Sequence, residues 1–153
     1  RIMLYLLLRM GTERYALEAR RIVEVVPLVT LKPLPHAPGC VAGLFDYRGT
    51  WVPVIDLCRL ATGLNCAAHL TTRIVLVHYP AGATQTHILG MLAEQVTETV
   101  KFKDADFQSA GLQLPEAPYL GQLVKAENIT AQRLEIEHLL PEDLRENLFP
   151  ECA

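Results

Sequence analysis

Turn-forming residues interrupt the apolar runs of this chain so often that a long helix or a βαβ unit has nowhere to fit. Met3 to Met10 puts Leu4, Leu6 and Leu8 on one face, Gly11-Thr12-Glu13 turns the chain, and Arg14 to Leu17 resumes the pattern. That arrangement predicts a β-hairpin. Glu18 to Val26 fits either a short helix running into a strand or a strand alone, and Pro27 ends both versions. Leu31 to Gly39 holds three prolines and a glycine and reads as an extended connector. Val41 to Tyr47 and Trp51 to Ile55 flank Arg48-Gly49-Thr50 as a second hairpin, with Pro53 expected at an edge or bulge. Asp56 to Leu60 reads as one helical turn stopped by Gly63.

The second half repeats the scheme. Arg73 to Tyr79 and His87 to Ala93 predict a third hairpin around the loop 80–86, and Val96 to Phe102 predicts a further strand. Lys103 to Pro118 is irregular. Tyr119 to Lys125 and Ile129 to Ile136 predict a fourth hairpin, and Glu137 to Asn147 predicts a closing helix with Leu139, Leu140, Leu144 and Leu148 as its apolar stripe and Pro141-Glu142 as a favourable start. Many short strands with turns between them predict an all-β fold of barrels or sandwiches. A faint echo, Ala37-Pro38 before Gly43-Leu44 and Ala117-Pro118 before Gly121, is consistent with two related halves.

Composition narrows the function. A net charge of −3 with scattered Lys and Arg offers no basic stripe for phosphates, so no nucleic-acid partner is expected. The run Met3 to Leu8 is too short for a signal peptide, and no stretch is long enough to span a bilayer, so no direct membrane insertion and a cytoplasmic location are expected. Cys40, Cys58, Cys66 and Cys152 form no C-x-x-C pair and fit no zinc spacing; free thiols in a reducing compartment are expected.

Catalytic patterns are missing from the sequence. There is no Walker or G-x-G-x-x-G loop, no H-E-x-x-H and no G-x-S-x-G, and Ser109 is the only serine. His78 and His87 offer two metal ligands if they face each other across a hairpin, but a catalytic zinc wants three. Cys40 and Cys58 sit among apolar residues, and acidic pairs such as Glu94 with Glu98 read as solvated edges. Neither an enzyme nor a cofactor or metal site is expected.

Two features point to recognition instead. Phe45 to Asp56 gathers aromatic residues, two carboxylates and Arg48 at one hairpin, and Arg and aromatic side chains are favoured at binding hot spots. Glu24 stands alone in Ile22-Val23-Glu24-Val25-Val26, where a half-buried carboxylate needs a partner; Arg48 is a candidate. The competing reading has Glu24 pointing to solvent and Arg48 serving the turn.

The same residues carry a family resemblance. Gly43-Leu44-Phe45-Asp46-Tyr47-Arg48-Gly49-Thr50-Trp51-Val52-Pro53-Val54-Ile55-Asp56-Leu57 resembles the CheW-like signature G-x-x-N-L-R-G-x-x-x-P-V-x-D-L. Tyr15-Ala16-Leu17 with Ile22-Val23-Glu24-Val25, Pro35-His36-Ala37-Pro38, and Ile88 to Val96 resemble further family segments in order. The chain departs from the family pattern at Asp46-Tyr47, at Glu94 and at Leu134-Glu135-Ile136-Glu137, which marks a divergent member. The resemblance implies two interlocked five-stranded SH3-like β-barrels with short helices and a C-terminal helix. It implies one CheW-like domain over 1–153, with a second subdomain at roughly 70–125 and the C-terminal segment returning to the first. It further implies a non-catalytic adaptor at the inner membrane face, joining the cytoplasmic tip of a methyl-accepting chemoreceptor to the regulatory domain of a CheA-type histidine kinase. Carried over by position, Glu24, Asp46, Tyr47 and Arg48 would face the receptor, with Val23, Val25 and Val41 as apolar anchors in a groove between the barrels. A regulatory domain cut from a larger kinase, or a CheW–receiver fusion, is the alternative within the family; a small enzyme on an SH3-like barrel is the remote one.

Overall fold

A computed structural model describes residues 1–80, 86–112 and 114–150. The fold is all-β. Ten strands run β1 (Ile2–Met10), β2 (Glu13–Glu18), β3 (Ile22–Pro27), β4 (Val41–Tyr47), β5 (Thr50–Asp56), β6 (Arg73–Pro80), β7 (Thr86–Lys103), β8 (Phe107–Gln108), β9 (Leu120–Ala126) and β10 (Ile129–Leu134). Two short helices, α1 (Leu57–Thr62) and α2 (Glu142–Leu148), complete the order. The ambiguous segment after Leu17 resolves into strand, a 3-10 turn over Ala19–Arg21, and strand again.

Strand β7 ties two sheets together. Its first half pairs with β6 and, in parallel, with β5; its second half pairs with β1. The switch falls at Gln95, whose φ of 48° kinks the strand, and the β1 register slips between Leu7 and Arg9 at the same place. One barrel is therefore built from β3, β6, the first half of β7, β5 and β4, and the other from the second half of β7, β1, β2, β10 and β9, with β8 beside β9. The parallel contact of β10 with β2 brings residue 132 to residue 15 and joins the C-terminal hairpin to the barrel that holds β1.

Alternation along the strands explains three separate cores. Tyr5 and Leu7 face one barrel's interior with Ala16, Phe102, Phe107 and Val124. Val52, Val54, Ile74, Leu76 and Leu92 fill the other. The opposite faces of the same strands, Leu6, Leu8, Ile55, Val75, Val77, Leu89 and Met91, meet in a larger cluster between the barrels. Strands buried on both faces read as continuous apolar runs, which is the pattern of β1 and β6. The C-terminal segment seals this middle layer with Leu139, Leu140, Leu144 and Phe149. The closing helix is shorter than expected and starts after Pro141, because Ile136–His138 forms a separate 3-10 turn.

One further expectation is corrected. Cys58 and Cys66 are not free thiols but a disulfide, since α1 reverses the chain and leaves their Cα atoms 5.1 Å apart. Cys40 is free; Cys152 and most of the loop 80–86 lie outside the described residues. His78 opposes Ile88 while His87 opposes Tyr79, so the two histidines point to opposite faces of their hairpin. No helix among the described residues is long and apolar enough to cross a membrane.

Candidate interaction site at the β4–β5 hairpin

The β4–β5 turn is two residues long, with Tyr47 paired to Thr50. Arg48 and Gly49 occupy it with φ of 52° and 86°. A two-residue hairpin turn with positive φ at both positions favours Asn-Gly, so the arginine carries a conformational cost there. Asp46 stabilises the turn from below: its Oδ1 accepts the Gly49 N–H at 2.9 Å.

Glu24, Tyr47 and Arg48 converge. The Tyr47 hydroxyl donates to Glu24 Oε1 at 2.9 Å, the Arg48 guanidinium lies 3.6 Å from the same oxygen, and it sits 5.1 Å from the Tyr47 ring centroid. The hydrogen bond to the carboxylate, with some desolvation, pushes the Tyr47 phenol above its ordinary value, so it remains a neutral donor. The Arg48 side chain is 78 % exposed, so its ion pair is a surface one contributing at most about 1 kcal/mol. Its position is thus poorly explained by stability.

Arg48→Asn relieves the turn and raises unfolding free energy by about 0.5–1 kcal/mol, because asparagine tolerates this backbone region. Urea unfolding checks it; a loss of stability above about 1 kcal/mol would show that Arg48 supports the fold.

The three valines are placed differently. Val23 packs against the core of the β3–β7 barrel, while Val25 and Val41 pack against the layer between the barrels. All three are half-buried, and none joins the Arg48 cluster. The exposed apolar side chain at the hairpin is Trp51, 54 % accessible, on a cleft of about 430 Å³ shared with Tyr47, Arg48, His87 and Phe149. On the other side of Trp51 a shallower groove of about 380 Å³ runs between Val29, Leu31, Leu44 and Phe45. Trp51 is the lone tryptophan of the chain and sits inside the signature, a sequence signal that was available but outweighed by the valine run.

The metal-type side-chain groups among the described residues lie elsewhere: Asp56 with Cys58 and Cys66, and Glu135 with Glu137 and His138. In the first, both sulfurs are bonded to each other and the Asp56 carboxylate accepts the Arg59 and Cys66 N–H groups. The β4–β5 hairpin therefore presents a charged and aromatic surface.

Comparison with known proteins agrees with this architecture. The CheW-like domain family matches residues 4–144. The chemotaxis protein CheW of Rhizobium meliloti is 24 % identical over 100 residues, covering 65 % of this chain and 61 % of that protein. The CheW of Helicobacter pylori is 31 % identical over 97 residues, covering 63 % and 55 %. Protein FrzA of Myxococcus xanthus is 28 % identical over 98 residues, covering 64 % and 58 %. The matched regions thus span about three-fifths of these relatives' own lengths. The crystal structure of the scaffolding protein TtCheW from Thermoanaerobacter tengcongensis superposes with a TM-score of 0.80 over 94 % of this chain and 91 % of that one, at 17 % identity.

Proposed function

The chain belongs to the CheW-like domain family, and we propose that it serves as a non-catalytic adaptor that couples a methyl-accepting chemoreceptor to a CheA-type histidine kinase in the cytoplasm, beside the membrane face where the receptor tip lies. The observation that carries the reading is the exposed Arg48 held at a strained hairpin tip over Tyr47 and Glu24, in a region matched by the family. A receptor tip of packed helices offers carboxylates and apolar ridges. A helix laid against this face meets one oriented cation, one neutral phenol donor and the Trp51 ring as an apolar anchor. Glu24 then orients Arg48 and Tyr47 rather than contacting the receptor itself, and Asp46 holds the turn.

Coupling requires no bond making. Two barrels that share strand β7 and a packed middle layer present separate surfaces to two partners, and occupancy by one shifts the kinase between conformations through packed contacts. Titration calorimetry of the purified chain against a receptor-tip fragment and against a kinase regulatory domain tests the reading. Saturable one-to-one binding to each is expected; a folded chain that binds neither overturns it.

A further inference from the structure

The disulfide sits at a place where both of its oxidation states are accommodated. Cys58 is buried in α1, and Cys66, eight residues on, lies half-buried at the start of an exposed loop running to Thr72. Glu94 Oε2 lies 3.6 Å from the Cys58 sulfur, and the Leu92 carbonyl oxygen lies 3.4 Å from the Cys66 sulfur. If the bond opens, each thiol finds an acceptor in place, so the reduced pair leaves no buried donor without a partner. The same carboxylates hold the loop backbone: Asp56 accepts the Cys66 N–H at 3.0 Å and Glu94 accepts the Ala67 N–H at 2.8 Å. The end of the loop is held separately, by the buried Thr72, whose hydroxyl donates to the Ala67 carbonyl, and by the Val96 N–H donated to the Thr71 carbonyl, whereas Leu64 and Leu70 are exposed to 74 % and 98 %.

We propose that Cys58 and Cys66 form a reversible thiol–disulfide site that clamps the 63–72 loop onto α1 when oxidised and loosens it when reduced. The inference rests on the adaptor reading in one respect: in a reducing compartment a disulfide is a conditional bond, and the usual use of such bonds is transient or redox-sensing. The exchange partner is a low-molecular-weight thiol such as glutathione. Its thiolate attacks the more accessible Cys66 sulfur; the S–S bond breaks and its electron pair leaves on Cys58, which takes a proton from solvent. A second thiolate attacks the small-molecule sulfur of the mixed disulfide and releases Cys66 as a thiolate, which is then protonated. Two small thiols are oxidised to one disulfide and the protein gains two thiols. Asp56 caps α1 through the Arg59 N–H without involving either sulfur, so the change is confined to the loop.

The test uses the full chain with Cys40→Ser and Cys152→Ser, so that two cysteines remain. The protein is equilibrated in glutathione buffers from fully reduced to fully oxidised, then thiols are counted by mass-tag alkylation and backbone exchange by hydrogen–deuterium mass spectrometry. Both thiols are expected to disappear together, with amides at residues 64–72 exchanging at least tenfold faster in the reduced protein and those of β1 and β6 unchanged. Cys66→Ser is expected to show the faster loop exchange in both buffers. Thiols that stay free at every ratio, loop exchange equal in both states, or a reduced protein that retains one equivalent of zinc and a protected loop would each overturn the proposal. The measurement involves no receptor or kinase, so its outcome stands apart from that of the adaptor reading.

Discussion

Arg48→Glu is expected to leave both barrels folded and to weaken capture of a receptor tip by about 2–5 kcal/mol, roughly 30-fold to several-thousand-fold in Kd. The two halves of this expectation have different physical sources. In the free protein the Arg48–Glu24 pair is exposed to 78 % and 43 %, so its loss costs at most about 1 kcal/mol of stability. Arg48 makes its turn through backbone geometry that the reversed charge adopts at similar cost, while Gly49 and Asp46 still close the hairpin. In the complex the guanidinium would be desolvated against an acidic helix face, and reversing it places like charges in a low-dielectric contact beside Glu24. Circular dichroism and urea unfolding measure the first half, and calorimetry with a receptor-tip fragment the second. Unchanged affinity would move the receptor surface away from this hairpin; an unfolded variant would make Arg48 structural.

Gly43→Ala attacks the same hairpin from its base and should destabilise the protein by about 2–4 kcal/mol. Gly43 has φ of 147°, and a Cβ there would lie 2.6 Å from the Lys32 carbonyl oxygen and 3.0 Å from Leu31 Cβ. The carbonyl cannot retreat cheaply, because it accepts the Leu44 N–H at 2.8 Å while Lys32 donates back to Leu44 at 2.8 Å. That reciprocal bridge fastens the Pro-rich connector to β4, next to the register slip between Val41 and Gly43. The substitution must break the bridge or distort the strand. For a chain of this size the loss corresponds to about 5–15 °C in Tm. Unfolding within about 0.5 kcal/mol of the parent would show that the connector yields freely and that the bridge adds little.

The contrast between these sites shows which features the sequence could reveal. Hairpins were legible because each is local: the apolar runs of β1 and β2 flank Gly11, those of β4 and β5 flank Gly49, and adjacent strands pair across a few residues. The Asp56 cap and Gly63 stop of α1 were legible for the same reason. The barrel membership of each strand was not, because it depends on parallel contacts such as Gln132 with Tyr15 and Val54 with Gly90. Long-range pairings of this kind leave no local signature. Val96 to Phe102 read as separate from His87 to Ala93, since polar Gln95 breaks the pattern where one strand bends between two sheets. At the site, Arg48 and Glu24 could be paired from their chemistry, but the fate of Val23, Val25 and Val41 was decided by cores visible only once the barrels close. The Cys58–Cys66 bond was hidden because a spacing of eight matches no motif until a helix turn folds it back.

The adaptor reading stands or falls on bridging, which neither partner alone can report. A CheA-type regulatory domain immobilised on resin and a soluble receptor-tip fragment are mixed with and without this chain, and receptor retained after washing is quantified. The account predicts retention that rises and saturates with added chain and is lost with Arg48→Glu, while the kinase domain still holds the variant. Retention that never exceeds the level without the folded chain would contradict it.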